Sequence, residues 1–500
     1  MMNKSDAKLS LPALTALVVG SMIGAGIFSL PATFGRAAGG LGAIIAWCIA
    51  GGGMLTLALV FQTLATRKPH LNSGIFIYAQ DGFGNYLGFT SALGFWAGTC
   101  IGNVSYFVLI KSTLGTFSPI FGDGNTLYAI ITASIVLWCF HILVLRGVKE
   151  AAIINTVVTW AKIIPIGVFI VVLMFAFNAD IFTVNFWGGP DIRDIDSHTL
   201  SEGYHDLVHY IAAPDNEHES LFSQVRNTML VTVFVFLGIE GASVYSRLAK
   251  KRSHIGTATV FGFIGVLCIL CLVTLLSYGV LLRPELAALR QPSMAGVLET
   301  IVGRPGMIFI SIALVISVLG AYLSWSLLAA EVLYSAAKSG LMPKILAKEN
   351  ANRVPYKAVW LTNIFIQVFL IITLFTDYAF QLALELTSSL TLIPYFLVSA
   401  YALKLALTGE SYSGSGTEIR KGLILSAIAL IYSLMMIYAG GVKYLLLSTI
   451  IYGPGTILYY LARKENSSKV FTRRERLLFV LLMAGAIIGI YAIATGLIHI

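Results

Sequence analysis

Charge is what this chain has least of. Of 500 residues, 11% are Asp, Glu, Lys or Arg and 57% are hydrophobic. A soluble domain carries roughly 25% charged residues, so a water-soluble globular fold is excluded. Cysteine is scarce as well. Cys48, Cys100, Cys139, Cys268 and Cys271 all fall inside apolar runs, so disulfides are not expected, and one Cys-x-x-Cys is a weak sign of metal or redox chemistry. The sequence also lacks a metal-ligand cluster, a nucleophile elbow and paired acids with a plausible base, which argues against an enzyme; no cofactor or metal is expected. No small-residue cleavage site follows the first apolar run, which therefore reads as an uncleaved span rather than a signal peptide. Long polar segments are missing too, with one exception at 178–225.

What is present is a series of apolar runs near 11–36, 41–66, 86–117, 126–146, 150–177, 226–246, 256–283, 300–337, 356–376, 380–407, 422–439, 443–462 and 475–497. A helix needs about 20 apolar residues to cross a bilayer, so some thirteen spans are predicted in an all-α membrane protein. The net charge of +9 does not call for nucleic acid, because its position explains it. With the N-terminus in the cytoplasm, the inner loops collect Arg67, Lys68, Arg146, Lys149, the cluster Arg247, Lys250, Lys251, Arg252, and the basic stretch RKENSSKVFTRRER. The outer side receives far fewer, as the positive-inside rule requires. The 178–225 segment falls outside. It is acidic and holds His198, His205, His209 and His218; it reads as a solvated loop that gathers cations, with a metal site as the minor alternative.

Two spans are interrupted at depth. GSMIGAGIFSLP (20–31) places Gly24-Ala25-Gly26 inside the first, and VFVFLGIEGASVYS (233–246) places Gly238, Glu240 and Gly241 inside the sixth. Broken backbone is tolerated in a membrane only where it is buried in protein or lines a cavity. Interruptions at corresponding places in two halves point to a transporter binding site. An odd number of spans per half makes the copies opposite in orientation. The expected architecture is therefore a five-plus-five inverted-repeat core, 1–177 and 226–408, separated by the 178–225 loop and followed by two or three additional helices in 409–500. Unwinding frees amides at the start of one half-helix and carbonyls at the end of the other, which together suit a zwitterionic α-amino acid. Close helix packing is the alternative use of such glycines.

Further residues suit a pocket. Trp325, deep in the eighth span, offers a face to a cation, worth about 2 kcal/mol or more when desolvated. Glu240 is an acid at membrane depth, functional by default. Gly98, Thr99 and Asn103 share a face of the third span, and Thr387 and Tyr395 lie two turns apart on the tenth; interhelical hydrogen bonding is the alternative role for the polar ones. Lys162 stands alone in the middle of the fifth span, where its ammonium is expected to replace the ion of sodium-coupled transporters. Glu331 faces the cytoplasmic mouth on this reading, and Glu385 has no assigned role.

These stretches, with the IGN at 101–103, SWSLLAAE and TLIPY, resemble the basic amino acid/polyamine antiporters of the amino acid–polyamine–organocation superfamily, whose fold is LeuT-like. VLRGVKEAAIIN, SMAGVLE, KENANRVPYKAVWLTN and YAGGVKYLLLS are similar to the bacterial arginine/ornithine antiporters within it. The resemblance implies a substrate carboxylate at the amides around Gly24, Ala25 and Gly26, beside Ile23, and an α-amine at the carbonyls of Met22, Phe234 and Leu237. It implies a cationic head stacked on Trp325 near Gly98, Thr99, Asn103 and Thr387, with Phe95 and Tyr106 lining the pocket and Glu240 and Tyr395 gating it. Two departures stand out: arginine-exchanging relatives commonly carry Trp where Phe234 stands, and the outer loop at 196–220 is longer than theirs. The implied activity is sodium-independent, electroneutral exchange of arginine for ornithine in the inner membrane. Arginine/agmatine or lysine/cadaverine exchange, proton-coupled basic amino acid uptake and an amino-acid sensor are the alternatives. The expected partners are basic amino acids (arginine, ornithine, and lysine as a further candidate) and the lipid bilayer, with a homodimer left open.

Overall fold

The computed structural model describes residues 11–71, 75–147, 151–188, 220–240, 253–376, 378–412 and 416–498. The four loop histidines, Gly241 and the basic cluster Arg247 to Arg252 lie outside them. Among the described residues every regular element is helical, as backbone groups in hydrocarbon require.

The first span is three pieces: α1 (Leu11–Met22), a 3-10 turn (Ala25–Ser29) and α2 (Leu30–Ala37). Then follow α3 (Gly40–Arg67), a short α4 (Ile75–Phe83), α5 (Asn85–Phe117), α6 (Leu127–Leu145) and α7 (Ala151–Ala176). After α8 (Ala179–Phe186) and α9 (Leu221–Val235) come α10 (Ser253–Ser277), α11 (Arg283–Ala288), α12 (Ser293–Val302) and α13 (Arg304–Lys338). The chain closes with α14 (Tyr356–Ile372), α15 (Ala379–Thr408), α16 (Gly416–Glu465) and α17 (Arg473–Ala494).

Nine of these are long and apolar enough to cross a membrane singly, fewer than the thirteen runs of the sequence, and each difference has a local cause. The first span is shortened by its break, and the described part of the sixth is a 15-residue helix that ends at Val235. The fifth turns by 100° into α8, where the Asn178 side chain accepts from the Asp180 amide at 2.8 Å. α16 merges two runs: 50 residues at 1.5 Å each would extend about 75 Å, against a hydrocarbon layer of about 30 Å. It folds at Gly441, whose φ of 68° ends one helix and starts the next.

The 178–225 segment is less of a loop than its composition suggests. α8 occupies its start, and Asn185 pins it there, donating to the carbonyls of Tyr278 (2.7 Å) and Leu281 (2.8 Å) and accepting from the Arg283 amide (2.8 Å).

α5 is the axis. Its most apolar window is wholly buried, against 17% for α17, so α5 is core and α17 faces lipid along most of its length. α5 packs on α13, α15 and α14, while α1 and α10 pack together on the other flank. Large apolar side chains left exposed, among them Ile135 on α6, Ile431 on α16 and Leu481 on α17, form the surface that hydrocarbon would cover.

Candidate substrate site

The two breaks meet. α1 ends at Met22, Gly24 is extended (φ −111°, ψ −155°), and the chain restarts as a 3-10 turn at Ala25. The amides that open this turn have no preceding turn to bond to. On the other side α9 stops at Val235, and 236–240 form successive tight turns, with the Leu237 amide on the Phe234 carbonyl at 3.2 Å. The Ser21 hydroxyl donates to the Gly238 carbonyl at 3.1 Å and ties one break to the other. Gly238 has φ +102°, and a Cβ on it would come within 2.5 Å of the Ser21 carbonyl oxygen, so no other residue fits there without moving α1. Gly26 packs as closely: a Cβ would reach Val235 at 2.8 Å and Phe234 at 2.9 Å.

Between the breaks lies a cavity. The first span contributes Met22, Ile23, Gly24, Ala25 and Gly26, and the sixth contributes Phe234 and Leu237. Phe95, Thr99, Asn103 and Tyr106 come from α5, Trp325 from α13 and Thr387 from α15. All of these were singled out in the sequence. Gly98 is displaced from the cavity wall: a Cβ on it would meet the Thr391 hydroxyl at 2.8 Å, so its glycine lets α5 and α15 approach. Ser21, Gly102, Leu270 and Thr391 also line the cavity and were not singled out. Gly102 sat inside the quoted IGN, and Thr391 is one helical turn from Thr387; Leu270 gave no signal beyond being apolar.

Two buried polar atoms of the cavity wall, Asn103 Oδ1 and Thr387 Oγ1, have no hydrogen-bond partner among the described residues. A buried acceptor without a donor costs about 1–3 kcal/mol, so these atoms suit a ligand that brings N–H groups. The Trp325 ring lines the same space and is only partly covered by protein.

Glu240, Tyr395 and Lys162 are buried outside the cavity wall. The Tyr395 hydroxyl donates to Glu240 Oε2 at 2.8 Å, and the Gly238 amide donates to the same oxygen at 3.2 Å, so the sixth-span break is latched to α15. Lys162 Nζ donates to the Gly20 carbonyl at 3.2 Å, where α1 runs out of intrahelical donors; this joins the fifth span to the first. Glu331 is exposed and accepts from Ser335 at 3.2 Å, and Glu385 accepts from Gln381 at 2.8 Å.

A cavity between the interrupted first span and the end of α9, in a multi-pass protein whose described elements are all helical, fits the transporter class. The chain belongs to the amino acid permease family, which it matches over residues 9–461. It is similar to an arginine/ornithine antiporter of Pseudomonas aeruginosa, at 50% identity over 99% of both chains. An L-lysine transport protein of Corynebacterium glutamicum is 39% identical over 98% of this chain and 95% of its own. An arginine/agmatine antiporter of Chlamydia abortus is 36% identical over 99% and 98%.

Proposed function

We propose that this protein exchanges L-arginine for L-ornithine across the cytoplasmic membrane by alternating access. The observation that carries this reading is the cavity itself: unpartnered acceptors on Asn103 and Thr387 beside an aromatic face, opposite a helix start that offers amides. An amino acid with a cationic side chain satisfies both ends at once. The full-length likeness to an arginine/ornithine antiporter supports the same pair. The carboxylate takes the amides around Ala25 and Gly26, the α-amine the carbonyls of Met22, Phe234 and Leu237, and the head group Trp325, Asn103 and Thr387. The Phe234 carbonyl already accepts from Leu237 and offers its second lone pair. Residues 1–177 and 226–408 act as inverted repeats that rock about this site, with the N-terminus inside and Phe95, Phe234 and the Tyr395–Glu240 latch as gates.

Lys162 makes the exchange sodium-independent, because its ammonium already holds a carbonyl of the first break. Both substrates are monocations at neutral pH, so the exchange moves no net charge.

Proteoliposomes loaded with ornithine, or left empty, test this with labelled arginine outside. Uptake confined to loaded vesicles supports exchange, and equal uptake into empty ones overturns it. The relatives that handle agmatine and lysine favour a second reading, exchange of a monocation for a dication or net uptake. Loading the vesicles with agmatine or cadaverine separates these.

A further inference from the structure

The cavity wall carries the hydroxyls of Ser21, Thr99, Tyr106, Thr387 and Thr391, and most of them are already spent on the backbone. Ser21 shares its proton between the carbonyls of Val18 at 2.8 Å and Gly238 at 3.1 Å. Thr99 donates to the Phe95 carbonyl and Thr391 to the Thr387 carbonyl, each at 2.8 Å. Two hydroxyls remain. Thr387 lies against Gly102, on the side of the cavity assigned above to the head group. The other is Tyr106, a side chain only 6% exposed whose hydroxyl makes no hydrogen bond among the described residues.

The Tyr106 hydroxyl hangs over the first break. A Cβ on Gly24 would lie 3.2 Å from the hydroxyl oxygen and 4.0 Å from the ring carbon that bears it. The φ of Gly24, −111°, is open to any residue, so it is this approach that a side chain would crowd. Asn103 and Tyr106 are three residues apart on α5, neighbours on one face about 4.5 Å apart along the axis. One helix therefore presents a free acceptor at Asn103 Oδ1 and, a turn further on, a free donor beside the break. No Lys, Arg or His lines the cavity among the described residues, so a carboxylate placed there meets no cationic side chain. A buried carboxylate needs donors instead, and an O–H donor to an anion is among the stronger hydrogen bonds.

We infer that the Tyr106 hydroxyl is a specificity-determining donor to the substrate carboxylate, selecting amino acids over the amines left by their decarboxylation. The inference rests on the cationic amino-acid substrate proposed above. Arginine and ornithine carry the same carboxylate and engage the hydroxyl alike. Agmatine keeps the guanidinium and an amine but has no carboxylate, and it leaves the hydroxyl unpartnered. The site then favours exchange of one amino acid for another over exchange of an amino acid for its decarboxylated product.

Binding of L-arginine, L-ornithine and agmatine to the purified full chain at neutral pH tests this, with wild type compared to Tyr106→Phe. The hydroxyl has no partner in the protein, so its removal breaks no internal bond, and the unfolding temperature should stay within a few degrees of wild type. Arginine and ornithine should each bind about tenfold more weakly to the variant, as expected for a hydrogen bond to a charged group, while agmatine changes by less than about twofold. Unchanged arginine affinity, or agmatine weakened as much as arginine, would overturn the inference, because the hydroxyl would then be reading the amine or only filling space. Where agmatine binds wild type too weakly to titrate, the two amino acids decide: equal losses support a contact with the shared carboxylate, and unequal losses overturn it. Wild type that binds neither arginine nor ornithine overturns the substrate reading instead.

Discussion

Trp325, Asn103 and Thr387 were legible as cavity-lining candidates because each is costly where it stands: a polar or aromatic group in a hydrophobic span needs a reason. The same logic picked out Lys162 and Glu240, but it did not say that they stand behind the cavity rather than in it. Depth along a helix can be counted from the sequence, whereas the direction of a side chain depends on which neighbours the helix meets. Tyr322, Asn363 and His141 were invisible for a related reason: the Tyr322 hydroxyl donates to Asn363 Oδ1 at 3.2 Å and Asn363 Nδ2 meets His141 Nδ1 at 2.7 Å, a link between three helices that none of the residues reveals alone. Two expected outcomes belong at this scale. Trp325→Ala weakens arginine binding by at least tenfold, about 1.4 kcal/mol, in a direct binding titration; unchanged affinity returns the ring to a packing role. Lys162→Met leaves a folded, monodisperse protein whose exchange rate falls by about tenfold or more, since the Gly20 carbonyl loses its charged donor. Wild-type uptake that depended strictly on sodium would contradict the role given to Lys162.

Among the elements, spans with uninterrupted apolar runs were read to within a few residues, because hydrocarbon thickness sets their length. The failures came where a helix bends. The sharp turn from α7 into α8 and the helical start of the acidic segment depend on Asn178, whose side chain caps α8 locally while its amide donates to the distant Gly279 carbonyl, and on Asn185, whose partners lie near 278–283. Gly441 folds α16 for a reason that is local, and the gap between two apolar runs had already marked it. The contact between the breaks rests on Gly238. Gly238→Ala adds a methyl 2.5 Å from a backbone oxygen at a left-handed φ. Strain of this kind costs on the order of 1–3 kcal/mol, so arginine exchange in proteoliposomes should drop by about tenfold or more, with a lowered unfolding temperature. Gly52, which has nothing within 4 Å of a Cβ, is the matched control, and Gly52→Ala should leave both unchanged.

For the molecule as a whole, the sequence was enough for the class, because composition is a global quantity. Which two cations are exchanged is a smaller distinction, since arginine, lysine and ornithine differ only at the end of one side chain. Current decides it. Moving one net charge against 100 mV is worth about 2.3 kcal/mol, so exchange of monocations should run at the same rate in polarised and unpolarised vesicles and give no transient on a solid-supported membrane. Arginine exchanged for a divalent amine should give one.

Lys162 carries a consequence for energetics. A cation fixed to the chain returns with the protein and is never delivered to the far side. A transporter built around such a tether draws no work from a sodium gradient. Under the proposed exchange, flux stops when the inside-to-outside ratio of arginine equals that of ornithine. The cell then sets the direction only by what it does with the two amino acids, and under the role proposed for Lys162 a lysine at 6% exposure makes the protein a balance rather than a pump.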